Sequence, residues 1–480
     1  MDANLAALLL PIISGTVVVF LFALRLNRKR SVGIVDDLGF LTAAATACYA
    51  LFPLIQHIAI GGFYKPHSAS QLFILAPTSV EIAALGWWYI SYLVAFCVIY
   101  LLTTANELRA SRRPPMPVAG AIVSFVFFLF VFWTVLLILE LVYNIDLFGA
   151  YDTIKLDVSY EAYLGMPLWF RQFFGIVAHT GVLLILKIGL LLICFISWRR
   201  PASRWIVYIA LIALVVRNTL WMGARTEMVI LLTVSAIMYN QYVKKLSAWR
   251  VASISVALFV GFILIGLLRG AGNLREDVKN AESLRDDSDL VTAANNEFQA
   301  LFAGNFDLLD MRNRRVMDDV PLQFRFYDLV MLVPAQFLPF DKLDVQLWYR
   351  MNSSNPGFFM LNPVSQSIIG FGLIEVIVRG GLLGWIFALI RSWYHRRSGG
   401  FWPTLTYIYL CAISYYTIRG AAFYFVAASL LFRLLPVYLA IRFLSETPFS
   451  SSHIRRRGPK LTSKSNHSRN NEIEISTAEK

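Results

Sequence analysis

Apolar stretches of about 18 to 25 residues recur along this chain, and no other feature restricts its fold as strongly. A helix needs about 20 such residues to cross a hydrocarbon layer about 30 Å thick. Only helices and closed barrels satisfy their own backbone in lipid, and these stretches are continuous rather than alternating, which excludes barrel strands. With 58% hydrophobic and 15% charged residues over 480 positions, the chain is too apolar for a water-soluble domain, which carries about a quarter charged residues. The expected fold is an all-α polytopic integral membrane protein.

Eleven spans are expected, near 5–25, 38–60, 83–104, 118–143, 174–198, 205–221, 226–243, 251–268, 365–390, 402–418 and 421–441, so that 1–445 forms the membrane domain. The first is not a cleavable signal peptide: its leader MDAN is acidic and the basic cluster NRKR follows it. More than half of the 43 Lys and Arg residues fall in one set of connections, at 27–30, 107–114, 198–204, 244–250, 391–397 and in the tail. Positive charge marks the cytoplasmic side, so the amino terminus is expected outside and the carboxyl terminus inside. The net charge of +13 then reflects topology and anionic lipid rather than nucleic acid.

Between the eighth and ninth spans, 269–364 is an outer loop too long for a turn, with both charge signs interspersed. Within it, 295–311 has helical apolar spacing, and FYDLVMLVPAQFLPFDK (326–342), broken by two prolines, reads as re-entrant or surface-lying. The tail 446–480 is polar and expected to be disordered. Cys48, Cys97, Cys194 and Cys411 lie inside spans, so no disulfide is expected. No phosphate-binding Gly-rich loop with Lys-Ser/Thr and no His-Glu-x-x-His occurs, so neither a cofactor nor a metal is expected.

Charge inside lipid costs several kcal/mol, about 2.5–3.5 on insertion scales, and is kept for a reason. Glu140 suits snorkelling at an interface, and Lys187 suits either a bundle pair or a cavity. Arg433, beside Pro436, suits packing. Arg217, Arg225, Glu227 and Arg419 share one depth at the outer face, in connections too short to wander. Simple snorkelling, with Arg225 and Glu227 neutralising each other, is one reading. The other is a shared anion site, because arginine forks pair bidentately with phosphate and would neutralise a pyrophosphate leaving group. A nearby carboxylate would then serve as general base toward a hydroxyl. In the ninth span Glu375 and Arg379 are four residues apart on one helical face, either a self-neutralising pair or a carboxylate aimed at a cavity. Gly370, Gly372, Gly380, Gly381 and Gly384 allow a helix or lipid chain to approach.

GARTEMVILL (223–232), the long outer loop, LVPAQFLPFDK (332–342), the run 355–387 and IRGAAFYFVAASLLFRLLP (418–436) together resemble the bacterial O-antigen polymerase (Wzy) family. The positions that carry the resemblance are Pro334 and Pro339, Glu375 with Gly381 and Gly384, and Arg419 with Gly420, all in the second half of the chain. It implies a glycosyltransferase of the GT-C type in the bacterial inner membrane, joining polyprenyl-pyrophosphate-linked oligosaccharide repeats on the periplasmic face. A chain-length regulator and a flippase of the same pathway are the implied partners. On that reading Arg225 and Arg419 hold the donor pyrophosphate, with Arg217 and one loop arginine, Arg325 or Arg350, as further candidates, and Glu227 or Glu375 orients an arginine or accepts the acceptor proton. Related ligases typically use an outer-loop histidine, and 269–364 contains none, which favours a polymerase. A lipid-linked-glycan flippase is the competing expectation, with Lys187 and Arg433 marking its path.

Overall fold

The computed structural model describes residues 3–28, 34–60, 78–104, 119–143, 180–220, 225–247, 250, 253, 297–314, 320–333, 337–343, 345–352, 361–397 and 400–446. Among these, every regular element is helical. Five helices are long and apolar enough to cross a membrane. They are α1 (Ala3–Arg28), α2 (Leu38–Ile60), α3 (Ser79–Thr104), a later helix 373–396, and the run 422–443 near the carboxyl end. Shorter apolar segments lie in α4 (Ala119–Tyr143), α5 (Thr180–Ile196), α6 (Pro201–Leu220) and α7 (Arg225–Met238). A π-turn at Tyr239–Val243 extends α7. The expected eighth span, 251–268, and the tail beyond 446 lie outside the described residues, save Ser253.

The protein is membrane-embedded, and its surface says why. Along α1, Leu10 (59% exposed), Ile13, Phe20 and Leu21 face outward, a belt of bare hydrocarbon that water would drive into association. Helix α3 sits inside, packed on α1, α2 and α13 (Leu373–Arg396). Its contact with α13 is close because Gly380 and Gly384 face the carbonyls of Tyr92 and Phe96, where any Cβ would collide with backbone. Small residues four apart let two helices meet this way.

The ninth apolar stretch is not the continuous span expected over 365–390. It divides into α12 (Pro363–Ile369) and α13, with a break at Gly370–Gly372. Gly372 adopts φ +81°, a left-handed backbone that favours glycine, and this turns the chain between the two helices. Asn362 starts α12 with a capping box: Ser365 N–H donates to its Oδ1 at 2.8 Å, and its own N–H donates to Ser365 Oγ at 2.6 Å.

The long connection packs into the bundle. Its helix α8 (Glu297–Asn313) packs on α2 and α12, with Phe298 against Tyr49 and Phe52 and the buried Phe302 stacked on Tyr89. Three short helices follow, α9 (Leu322–Arg325), α10 (Tyr327–Leu332) and α11 (Val345–Asn352). Pro334 lies outside the described residues. Beyond α10, Phe337 is 73% exposed, the disposition of a surface-lying segment. The chain closes with α14 (Phe401–Ile413), α15 (Tyr416–Arg419), α16 (Ala422–Ala428), a π-turn at Ser429–Leu434 and α17 (Leu435–Glu446). Arg433 lies in that π-turn with its guanidinium 5.0 Å from the Phe425 ring centre, a cation–π contact in place of a counter-ion.

Two ends of the bundle are now distinguishable. At one, the end of α1, the start of α2 and the ends of α3 and α13 meet, with Phe22 on Tyr100 and Arg391 on Asp37. This is the basic end of the positive-charge pattern. At the other, α8, α12 and the start of α13 come together.

Candidate functional site

Buried charge concentrates at the second end. Arg379, in the second turn of α13, is 12% exposed and serves two acids and a carbonyl. Its Nε donates to Glu375 Oε1 at 2.6 Å, its Nη1 to Asp328 Oδ2 at 2.7 Å, and its Nη2 to the Arg325 carbonyl at 3.5 Å. The remaining carboxylate oxygens are also occupied. Phe371 N–H donates to Glu375 Oε2 at 2.7 Å, so this acid caps the start of its own helix. Tyr424 N–H, in the first turn of α16, donates to Asp328 Oδ1 at 3.0 Å. One guanidinium therefore ties the long connection, the helix break and the last apolar run to one point. The Tyr92 hydroxyl is buried without a hydrogen-bond partner and lies in the field of Arg379 and Asp328.

Next to this network are two polar fixtures. Arg312 of α8 donates through Nη1 to the Ile368 carbonyl, satisfying an orphan acceptor at the end of α12. Asn305 and Asn362 both donate to the Tyr89 hydroxyl, at 2.6 and 3.2 Å. Gln366, fully buried on α12, has no partner for either amide atom.

Of the residues singled out by sequence, the structure brings Glu375 and Arg325 together here. The alternatives left open for Glu375 resolve geometrically: it is an ion-pair partner of Arg379 with both oxygens engaged. Arg325 contributes its carbonyl, while its buried Nε has no hydrogen-bond partner. Arg419 ends α15, half-buried, with its guanidinium 5.6 Å from the Tyr416 ring centre. Backbone positions place Arg217 at the end of α6, Arg225 and Glu227 in the first turn of α7, and Arg350 in α11. The side chains of these four, and that of Glu140, lie outside the described residues. Lys187 is half-buried in α5.

Asp328 was not among the sequence candidates, although a lone acid within the apolar run 326–333 is the signal that marks it. The four cysteines are free thiols. Among the described residues no three His, Cys, Asp or Glu side chains gather as metal ligands. No family model, curated protein or solved structure matches the chain.

Proposed function

We propose that this chain is a membrane glycosyltransferase that polymerises polyprenyl-pyrophosphate-linked oligosaccharide repeats, as in O-antigen or a similar surface polysaccharide. Eleven spans of a GT-C-type architecture would place the amino terminus in the periplasm and the carboxyl terminus in the cytoplasm of a bacterial inner membrane. The observation that carries the reading is the Asp328–Arg379–Glu375 network. Three ionised groups, each at most 12% exposed, meet where a hydrophilic connection returns to the bundle beside a broken helix. Broken helices and intramembrane charge mark substrate sites in membrane proteins.

In this reading Arg225 and Arg419 bind the donor pyrophosphate, helped by Arg217, Arg325 and Arg350. Positive forks there would stabilise the departing pyrophosphate, and Glu227 would take the proton of the attacking sugar hydroxyl. Glu375, already committed to Arg379 and to the Phe371 amide, is suited to orienting Arg379 rather than to moving a proton. The growing glycan passes to the end sugar of a new lipid-linked unit, with a chain-length regulator and flippase as pathway partners.

Surface-glycan gels test the reading in a deletion strain carrying wild-type, Arg225→Ala or Arg419→Ala protein at matched levels. A polymerase gives a ladder with wild type and core plus one repeat in the deletion strain and both variants. A full ladder from both variants removes these arginines from the mechanism. Loss of even the single repeat, with lipid-linked units held inside the cell, makes the protein a flippase.

A further inference from the structure

The basic end of the bundle holds a second polar cluster. It lies in the turn between α1 and α2, where Ile34–Asp36 forms a single 3-10 turn. Asp37 is neutralised: its Oδ2 is 3.1 Å from Arg391 Nε, at 1% and 5% side-chain exposure, and its Oδ1 accepts from the Tyr100 hydroxyl at 3.0 Å. Among the described residues Asp36 forms no ion pair. Its Oδ2 accepts from Asn240 Nδ2 at 2.8 Å, while Oδ1 is buried with no hydrogen-bond partner. The residue is 6% exposed.

The groups that act on Asp36 come from its own turn, the end of α7, α13 and α14. Asp37 adjoins it on its own turn, and Lys245, just past the π-turn after α7, acts on it electrostatically. The Tyr242 hydroxyl on the π-turn and the Tyr394 hydroxyl on α13 are buried, lie in its field and interact with Thr404 of α14. Arg391 pairs with Asp37 through Nε while its Nη1 is buried without a hydrogen-bond partner, and Tyr394 abuts His395. From α14, Cys411 lies within its field, and Tyr407 donates to the Asp36 carbonyl at 3.0 Å while accepting from Leu38 N–H at 3.1 Å.

A buried carboxylate with one bare oxygen and no ion pair among the described residues is costly, and such a group takes a proton instead. A neutral acid avoids that cost, and its other oxygen still accepts from Asn240. We propose that Asp36 is a proton-binding site that locks the α1–α2 turn onto the π-turn of α7 and onto α13 and α14, and that its ionisation loosens this end of the bundle. Burial is the largest cause of its shift, pushing the carboxyl up to about 7, with Asp37 adding to it and Asn240 and Lys245 opposing it. The sign follows from linkage. The folded acid holds its proton above the range in which the unfolded one releases it, so the stabilisation is complete below about 4 and lost as pH rises through about 7. The site lies at the opposite end from the network of Arg379, so it stands whether or not the chain is a glycosyltransferase.

The test uses the full chain in lipid nanodiscs, read by infrared spectroscopy of the protonated carboxyl band across pH. A band that titrates near neutral pH and disappears in Asp36→Asn is the expected result. Thermal unfolding of wild type should fall from about pH 6 to about pH 8, while Asp36→Asn stays flat and exceeds wild type at the upper pH. Where Asp36→Asn does not fold, Asn240→Ala serves: removing the donor that favours the charged form should move the band's midpoint upward. Parallel pH profiles for wild type and Asp36→Asn, or a midpoint unmoved by Asn240→Ala, overturn the proposal. So does a band that responds to exchange of sodium for choline rather than to pH, which would make the site a cation site.

Discussion

Arg379 concentrates the energetics of the candidate site in one side chain. Removing one partner of a buried ion pair costs about 3–5 kcal/mol, because the remaining charge stays desolvated. Arg379→Met should therefore lower unfolding free energy in mixed micelles by about that much, leaving Asp328 and Glu375 facing each other uncompensated. Adding Asp328→Asn and Glu375→Gln to the same chain should recover most of the loss, since the acids and not the missing arginine carry the penalty. If the triple variant is no more stable than the single one, the network is held by packing and not by charge. Arg314→Ala is the control: its pair with Asp310 has side chains 57% and 33% exposed and should change stability by less than about 1 kcal/mol. At this scale the sequence is half legible. Glu375 and Arg379 announce each other by helical spacing, but Asp328 reaches Arg379 from 51 positions away in sequence, and only the folded connection creates that contact.

Among helices, the deciding contact is the seam between α3 and α13. Gly380→Ala and Gly384→Ala each put a methyl against a main-chain carbonyl that cannot move aside without shifting α3. Overpacking of this kind costs about 1–3 kcal/mol. Gly381→Ala meets only the Ile99 side chain, at 3.3 Å, and should be nearly neutral. Thermal unfolding of the three variants checks the pattern, and equal loss at all three would mean the seam is not the cause. The existence of the apolar helices is legible in the sequence because burial in lipid imposes long uninterrupted hydrophobic runs. The break at Gly370–Gly372 is not, because Phe371 and its neighbours remain apolar and a glycine alone does not end a membrane helix. The helical spacing of 295–311 is legible too, but not the burial of α8 in the core: Asn305 is fully buried on Tyr89 and Asp307 accepts from the Tyr349 hydroxyl at 2.7 Å.

For the molecule as a whole, the two polar centres at opposite ends turn sidedness into chemistry. Asp36 and Asp37 follow the NRKR cluster (27–30) in sequence, whereas Asp328, Arg379 and Glu375 lie at the far ends of α3 and α13. In the proposed orientation a substrate carried by outer-leaflet lipid would reach only the second. The positive-charge rule predicts that a green fluorescent protein fused after residue 446 fluoresces, since it folds in the cytoplasm, and that alkaline phosphatase inserted within 269–296 is active, since it matures in the periplasm. Eleven spans require the two reporters to lie on opposite sides, because three crossings separate 269–296 from the carboxyl terminus, and the orientation decides which reporter is on which side. The converse pair would turn the arginines of the proposed donor site toward the cytoplasm, where a periplasmic polymerisation cannot use them. A carboxyl-terminal fusion that is dark together with an active phosphatase insertion would mean an even number of crossings after the connection, and would assign α14 or the run from α16 to α17 to a position that does not cross the bilayer.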